Sequence, residues 1–249
     1  MFAQINELIK VIDDAVWGLP LICLIMVTGI LLTVRLGGVQ VRHLGKAFKF
    51  MFQDEEDGHG EVTSFGALCT ALSATIGTGN IAGVATAIAA GGPGALFWMV
   101  VAAFFGMATK YSEGLLAIKY RTIDQDGHVL GGPFYYIENG MGKKWKWLAK
   151  IFAFFGAGVG LFGIGTFTQV NSIASAVKNF FDPDMAHTVT VLGNDYSIAT
   201  VIAGILLTVF VGLVVIGGIK RISKVSEVVV PFMAVLYVVL CLIIVFTNI

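Results

Sequence analysis

Between Ser64 and Ile88 an apolar stretch long enough to cross a bilayer is interrupted by Ala74-Thr75-Ile76-Gly77-Thr78-Gly79-Asn80. Two glycines two apart each lower helix propensity by about 1 kcal/mol relative to alanine. Thr75, Thr78 and Asn80 offer the freed backbone other hydrogen bonds. In lipid, an unwound segment persists only where it is buried in protein or lines a watery cavity, because each unpaired N–H or C=O is costly. Two kinds of chemistry become available at such a break. A half-helix that restarts after Gly79 presents unpaired N–H groups and a positive dipole end, suited to a carboxylate. The half that stops near Ser73 to Ile76 leaves carbonyl oxygens for a small hard cation. The competing reading is that Gly79 and Gly83, spaced GxxxG, only let another helix pack closely.

A second polar group lies far along the chain. Thr166, Gln169, Ser172 and Ile173 follow helical spacing and put a polar stripe on an otherwise apolar helix. A glutamine in mid-membrane needs a partner, either on a neighbouring helix or in a substrate cavity. Lys110 and Glu113, three apart, read as two embedded charges that neutralise each other, with a gate as the other possibility. Lys224 with Glu227, and Glu61 before the broken helix, fall under the same reading.

The elements that must hold these residues are membrane helices. With 57% hydrophobic and 13% charged residues among 249, the chain reads as a polytopic membrane protein. Its formal net charge of zero gives no electrostatic argument for nucleic acid. Residues 2–16 read as an interfacial helix and 17–34 as a first span. A basic linker with a short surface helix around Leu44, Phe48, Met51 and Phe52 follows, then the acidic run Asp54, Glu55, Glu56 and Asp57. The broken helix 64–88 is the second span, and Gly91-Gly92-Pro93-Gly94 turns the chain into a third, 95–118. A polar loop to about 147, a long fourth span over about 148–177, and spans over 198–216 and 228–246 complete a count of six. Cys23, Cys69 and Cys241 sit in apolar runs and read as small buried side chains without a disulfide.

Orientation follows from the basic residues. Thirteen of the sixteen Lys and Arg fall on one side: Arg35, Arg42, Lys46, Lys49, Lys119, Arg121, Lys143, Lys144, Lys146, Lys150, Lys220, Arg221 and Lys224. The loops after spans one, three and five are therefore expected in the cytoplasm and the N-terminus outside, in a bacterial-type plasma membrane. His43, His59, His128 and His187 share no ligand spacing, so no metal site is expected from them. Gly131-Gly132-Pro133 is not followed by the Lys-Ser/Thr of a phosphate loop. No nucleophile, base and orienting group assemble into a catalytic set, so the chain is not read as an enzyme and no cofactor is expected.

The run Gly91-Gly92-Pro93-Gly94-Ala95-Leu96-Phe97-Trp98-Met99, followed by Gly106-Met107-Ala108-Thr109-Lys110 and Glu113, resembles the signature of the sodium:alanine (alanine or glycine:cation) symporter family. The break 74–83 and the loop Gly131-Gly132-Pro133-Phe134-Tyr135-Tyr136 are similar to that family too. Val100 stands where the family usually has tryptophan, and the family's chains are nearly twice this length.

The resemblance implies an all-α, leucine-transporter-like inverted-repeat fold with sodium-driven uptake of alanine or glycine. On that reading residues 1–60 hold the interfacial helix, the extra first span and the linker, and 61–249 hold the first five-helix repeat, with the second repeat missing. Gly77-Thr78-Gly79-Asn80 also resembles the Gly-x-Gly-Asn break of neurotransmitter:sodium symporters. That match implies a substrate carboxylate held by Thr75 to Gly79, including Gly77 and Thr78. It also implies one sodium on the carbonyls of Ser73 and Ile76, and a second ion position near Thr75 and Asn80. The family's pocket glutamine matches Gln169. The expected partners are a small neutral amino acid, sodium, membrane lipid and the second repeat. The rival function is a non-transporting, channel-like membrane half whose glycines serve packing alone.

Overall fold

The computed structural model describes residues 2–53, 61–163, 165–191 and 193–248. The chain begins with α1 (Phe2–Val16), α2 (Leu19–Arg35) and two short helices in the linker, α3 (Val39–Arg42) and α4 (Leu44–Met51). Pro20 lies in the first turn of α2, where its missing N–H costs no helical bond. Residues 54–60, which hold the acidic run, His59 and the expected boundary between linker and repeat, lie outside the described residues.

The interrupted span follows as α5 (Ser64–Thr75), a 3-10 turn over Thr78–Asn80 and α6 (Ala82–Gly91), bent by 69° at the break. Gly92, at φ +69°, ends α6 by donating its N–H to the Ile88 carbonyl at 2.8 Å, a left-handed cap that favours glycine. Pro93 then leads into α7 (Gly94–Lys119). The loop after α7 contains a short hairpin of β1 (Thr122–Ile123) and β2 (Val129–Leu130), and then α8 (Pro133–Met141).

The fourth span expected over 148–177 is present within the single apolar stretch Lys143–Phe181, long enough to cross a membrane, but its helix is interrupted. It runs as α9 (Lys146–Leu161) and α10 (Thr166–Phe181), with Gly163 at φ +61° and Gly165 at φ +90° between them. Left-handed backbone at these two positions suits glycine and cannot continue a right-handed helix. An antiparallel hairpin, β3 (Thr188–Val191) with β4 (Asn194–Ser197), precedes α11 (Ile198–Val215) and α12 (Gly218–Thr247). Among the described residues five helices are long and apolar enough to cross a membrane, and six if the bent pair is one span, as the apolar runs predict. The protein is a multi-pass, all-α membrane chain, with two small hairpins among the described residues.

The helices gather into two compact units. The first combines Met1–Lys49 with Thr86–Ala153. In it α2 lies on α7, and a Cβ at Gly29 would stand 2.9 Å from Phe105 Cβ, so glycine permits the close approach. Lys110 and Glu113 pair at 3.0 Å, as their spacing predicts. Burial raises the Tyr136 hydroxyl above its ordinary range, and the Glu113 charge adds to that.

The second unit combines Phe50–Ala85 with Phe154–Ile249. Here α5 packs on α12, burying Gly66 and Cys69 of one and Ser223, Ser226 and Val230 of the other. Small residues on both sides let the two backbones come close. Large apolar side chains such as Ile202, Ile205 and Val209 remain more than half exposed, the surface a bilayer would cover. Two expectations need correction. Cys23 is exposed, so only Cys69 of the three cysteines is buried. Glu227 does not pair with Lys224; it accepts a hydrogen bond from Thr63 Oγ1 at 2.7 Å.

The loop after α10 is built on Asp182, a buried carboxylate. It accepts from Ser197 Oγ at 2.6 Å, Ala186 N–H at 2.7 Å and His187 N–H at 3.4 Å. The Ser197 bond is the main reason the carboxyl sits below the ordinary carboxylate range, with burial working in the opposite sense.

Candidate functional site

The break is organised by one side chain. Asn80 Oδ1 accepts the Gly77 N–H at 3.0 Å, while Asn80 N–H returns to the Gly77 carbonyl at 3.1 Å. This reciprocal pair closes a tight 3-10 turn and diverts the Gly77 N–H from the Ser73 carbonyl it would meet in a continuous helix. Ile76 still donates to Leu72 at 2.7 Å, so α5 ends there, with Ile76 itself in extended backbone at φ −85° and ψ 114°. Among the described residues the carbonyls of Ser73, Ala74, Thr75 and Ile76 then have no hydrogen-bond donor. Four oxygens at a helix C-terminus, the negative end of its dipole, are ligands of the type a hard monovalent cation takes.

The N–H side differs from expectation. The restart lies at Thr78 rather than after Gly79, and the α-helix proper resumes only at Ala82. Asn80 and Ile81 donate within the turn, at 3.1 and 3.2 Å. Among the described residues the N–H groups of Thr78 and Gly79, adjacent on the turn, have no acceptor, and neither has that of Ala82 at the start of α6. Two neighbouring N–H donors can take one carboxylate. No left-handed backbone occurs at the break: Gly77 has φ −147°, an extended conformation open to any residue. Glycine is used there for space.

What needs that space at Gly77 is Gln169. A Cβ on Gly77 would lie 3.1 Å from Gln169 Nε2 and 3.3 Å from its Cδ, so the amide rests directly against the Gly77 backbone. The interruption before α10 leads to this position, since Gln169 N–H donates to the Gly165 carbonyl in the first turn after the left-handed glycines. Two stretches ninety residues apart thus meet, with α10 packed on the 3-10 turn. Gly79 and Gly83, by contrast, have nothing within 4 Å of where a Cβ would stand. Close packing by that GxxxG pair is not seen among the described residues.

The hydroxyls of the stretch are turned inward on their own helix. Ser73 Oγ donates to the Thr70 carbonyl and Thr75 Oγ1 to the Ala71 carbonyl, both at 2.7 Å. Each keeps its oxygen lone pairs for another partner. Asn80 is committed to the turn through Oδ1, so its position near an ion would be that of a strut. Of the polar stripe on α10, Gln169 is the member brought against the break.

Two features were missed in the sequence. The second interruption had a signal, the glycines Gly163 and Gly165 just ahead of Thr166. The hairpin 188–197 also had one: Thr-Val-Thr-Val alternation followed by Gly193-Asn194.

The sequence profile described as the Sodium:alanine symporter family matches residues 2–249. An uncharacterized transporter of Haemophilus influenzae is 51% identical over 245 residues, covering 98% of this chain and 50% of the relative. The sodium/alanine symporter AgcS of Methanococcus maripaludis is 47% identical over 247 residues, covering 98% of this chain and 51% of the relative. The putative sodium/proton-dependent alanine carrier YrbD of Bacillus subtilis is 39% identical, covering 98% and 46%. The chain spans about half the length of the curated relatives it matches. These relatives are transporters rather than enzymes, and with a match running from residue 2 to 249 the chain belongs to the sodium:alanine symporter family.

Proposed function

We propose that this chain is half of a sodium-coupled symporter that brings alanine or glycine into the cell by alternating access. The observation that carries the reading is the meeting of three groups at the break: the carbonyls of 73–76, the N–H groups of Thr78 and Gly79, and the Gln169 amide beside Gly77. Such a site offers oxygens to a cation and donors to a carboxylate within one short segment. In this reading Ser73 and Ile76 give carbonyls to sodium, and Asn80 holds the ion position from behind. Thr75, Gly77, Thr78, Gly79 and Gln169 surround the amino acid.

The fold we infer is a leucine-transporter-like inverted repeat, in which 61–249 form one five-helix repeat after the extra N-terminal segment 1–60. A substrate cavity in such a fold draws one face from each repeat, so transport requires the other half of the relatives' length. The charge distribution supports an outside N-terminus, and the membrane in this reading is a bacterial-type plasma membrane. A cysteine at Asp126 labelled from outside intact cells would reverse that orientation.

The test joins this chain to the second half of the Methanococcus maripaludis relative and reconstitutes the joined protein in liposomes. An inward sodium gradient should drive alanine accumulation, and Gln169→Ala should abolish or strongly reduce it. A folded, joined protein that moves no alanine, or moves it equally well without sodium, refutes the proposal.

A further inference from the structure

The base of α5, one helix length from the break, is held by a cluster outside the candidate site. Thr63 is the N-cap: its Oγ1 accepts the Gly66 N–H at 2.9 Å and donates to Glu227 Oε1 on α12 at 2.7 Å. The same hydroxyl therefore closes the helix start and ties it to a residue 164 positions away. Gly66 is buried beneath this contact, and a Cβ there would collide with both Glu227 Oε1 and Ser223 Oγ, while standing 2.9 Å from Thr63 Oγ1. Ser223 and Ser226, both buried, lie on the same stretch of α12. A carboxylate facing the N-terminal end of α5 also meets the positive end of that helix dipole. Three separate features, the cap, the glycine and the acid, fit one another at one point.

We infer that Glu227 is a positioning residue: acting through Thr63, it clamps the base of α5 to α12 and so fixes where the far end of α5 presents the carbonyls of Ser73 to Ile76. The inference rests on the proposed ion site only for the last step. A helix of twelve residues is about 18 Å long, so a tilt of roughly 5° about Thr63 would move the carbonyl end by about 1.5 Å. Displacement on that scale is enough to spoil a preorganised site.

Two measurements test this. The first is amide hydrogen exchange over residues 64–75 of the 249-residue chain in lipid nanodiscs, which needs no transport. Glu227→Ala and Thr63→Ala should each raise exchange along α5, and the double variant should be no worse than the more severe single one. Glu227→Gln, which keeps an acceptor oxygen, should behave as the parent. The second measurement is the sodium concentration for half-maximal alanine uptake by the joined protein. It should rise by roughly tenfold in Glu227→Ala, the upper end for loss of one ordinary side-chain hydrogen bond, and recover in Glu227→Gln, which keeps the acceptor oxygen.

Unchanged exchange over 64–75 in a folded Glu227→Ala chain overturns the clamp. Raised exchange with an unchanged sodium requirement overturns the positioning role. If the unsubstituted joined protein shows no sodium-dependent uptake, the transporter reading has failed, and the clamp is decided by the exchange data alone.

Discussion

Gly77→Ala isolates the contact on which the candidate site depends. The new methyl would stand 3.1 Å from Gln169 Nε2 and 3.3 Å from Cδ, closer than ordinary carbon contacts allow, so the amide must retreat by several tenths of an ångström. The fold should tolerate this. At φ −147° alanine is unstrained, and a glycine-to-alanine change at a compatible position adds about 0.4–1 kcal/mol through the unfolded chain. Gln169 is a flexible side chain on an exposed part of α10 and can rotate away. What is lost is the amide's placement against the ligand. A hydrogen bond to a charged group is worth about 1.5–3 kcal/mol, so the alanine concentration for half-maximal uptake should rise roughly 10- to 150-fold. In a Gln169→Ala background the same substitution should add little, because the two changes act on one interaction. Gly79→Val serves as the comparator. Nothing among the described residues lies within 4 Å of its Cβ, so folding should be intact, and any loss of alanine binding reports space used by the ligand. A folded Gly77→Ala protein with the parent's alanine requirement would show that Gln169 and the break do not form the binding site.

Asn80→Ala removes the acceptor for the Gly77 N–H at a cost of about 1 kcal/mol, as for a lost helix cap, and lets that N–H return to the Ser73 carbonyl. The expected result is a raised sodium requirement with a smaller change in alanine affinity at saturating sodium; a silent substitution favours glycines that serve packing alone. The Asp182 loop should lose order in acid. Its carboxyl titrates lower folded than unfolded, so its contribution is full above the unfolded pKa, about 4, and is lost as pH falls through the lower folded value. Proteolysis of 182–197 should rise as the pH falls below about 4 in the parent chain, and Asp182→Asn should flatten that dependence; equal pH dependence in the two proteins contradicts the assignment.

The spans were legible because apolar runs of this length have few alternatives, and the break was legible because Gly77, Gly79 and Asn80 all oppose a helix at one place. Its internal geometry was not. Whether a helix restarts at Thr78 or after Gly79 depends on which carbonyl Asn80 replaces, and propensity does not rank those options. The polar stripe flagged Gln169 as needing a partner, but only the fold shows that its amide lies against the Gly77 backbone. The interruption at Gly163 and Gly165 was hidden because glycine is common in membrane helices, where it more often serves packing. Glu227 was read with Lys224, its neighbour on the same helix, because the pairing with Thr63 spans 164 positions and leaves no periodic trace.

The central claim is that one break binds both the cation and the amino acid, and such sites must be thermodynamically linked. The direct measurement is the alanine dissociation constant of the purified joined protein with sodium and with potassium, together with the sodium dissociation constant with and without alanine. The account predicts that sodium tightens alanine binding and that alanine tightens sodium binding by the same factor, with both effects lost in Gln169→Ala. Equal alanine affinity in sodium and potassium would contradict it.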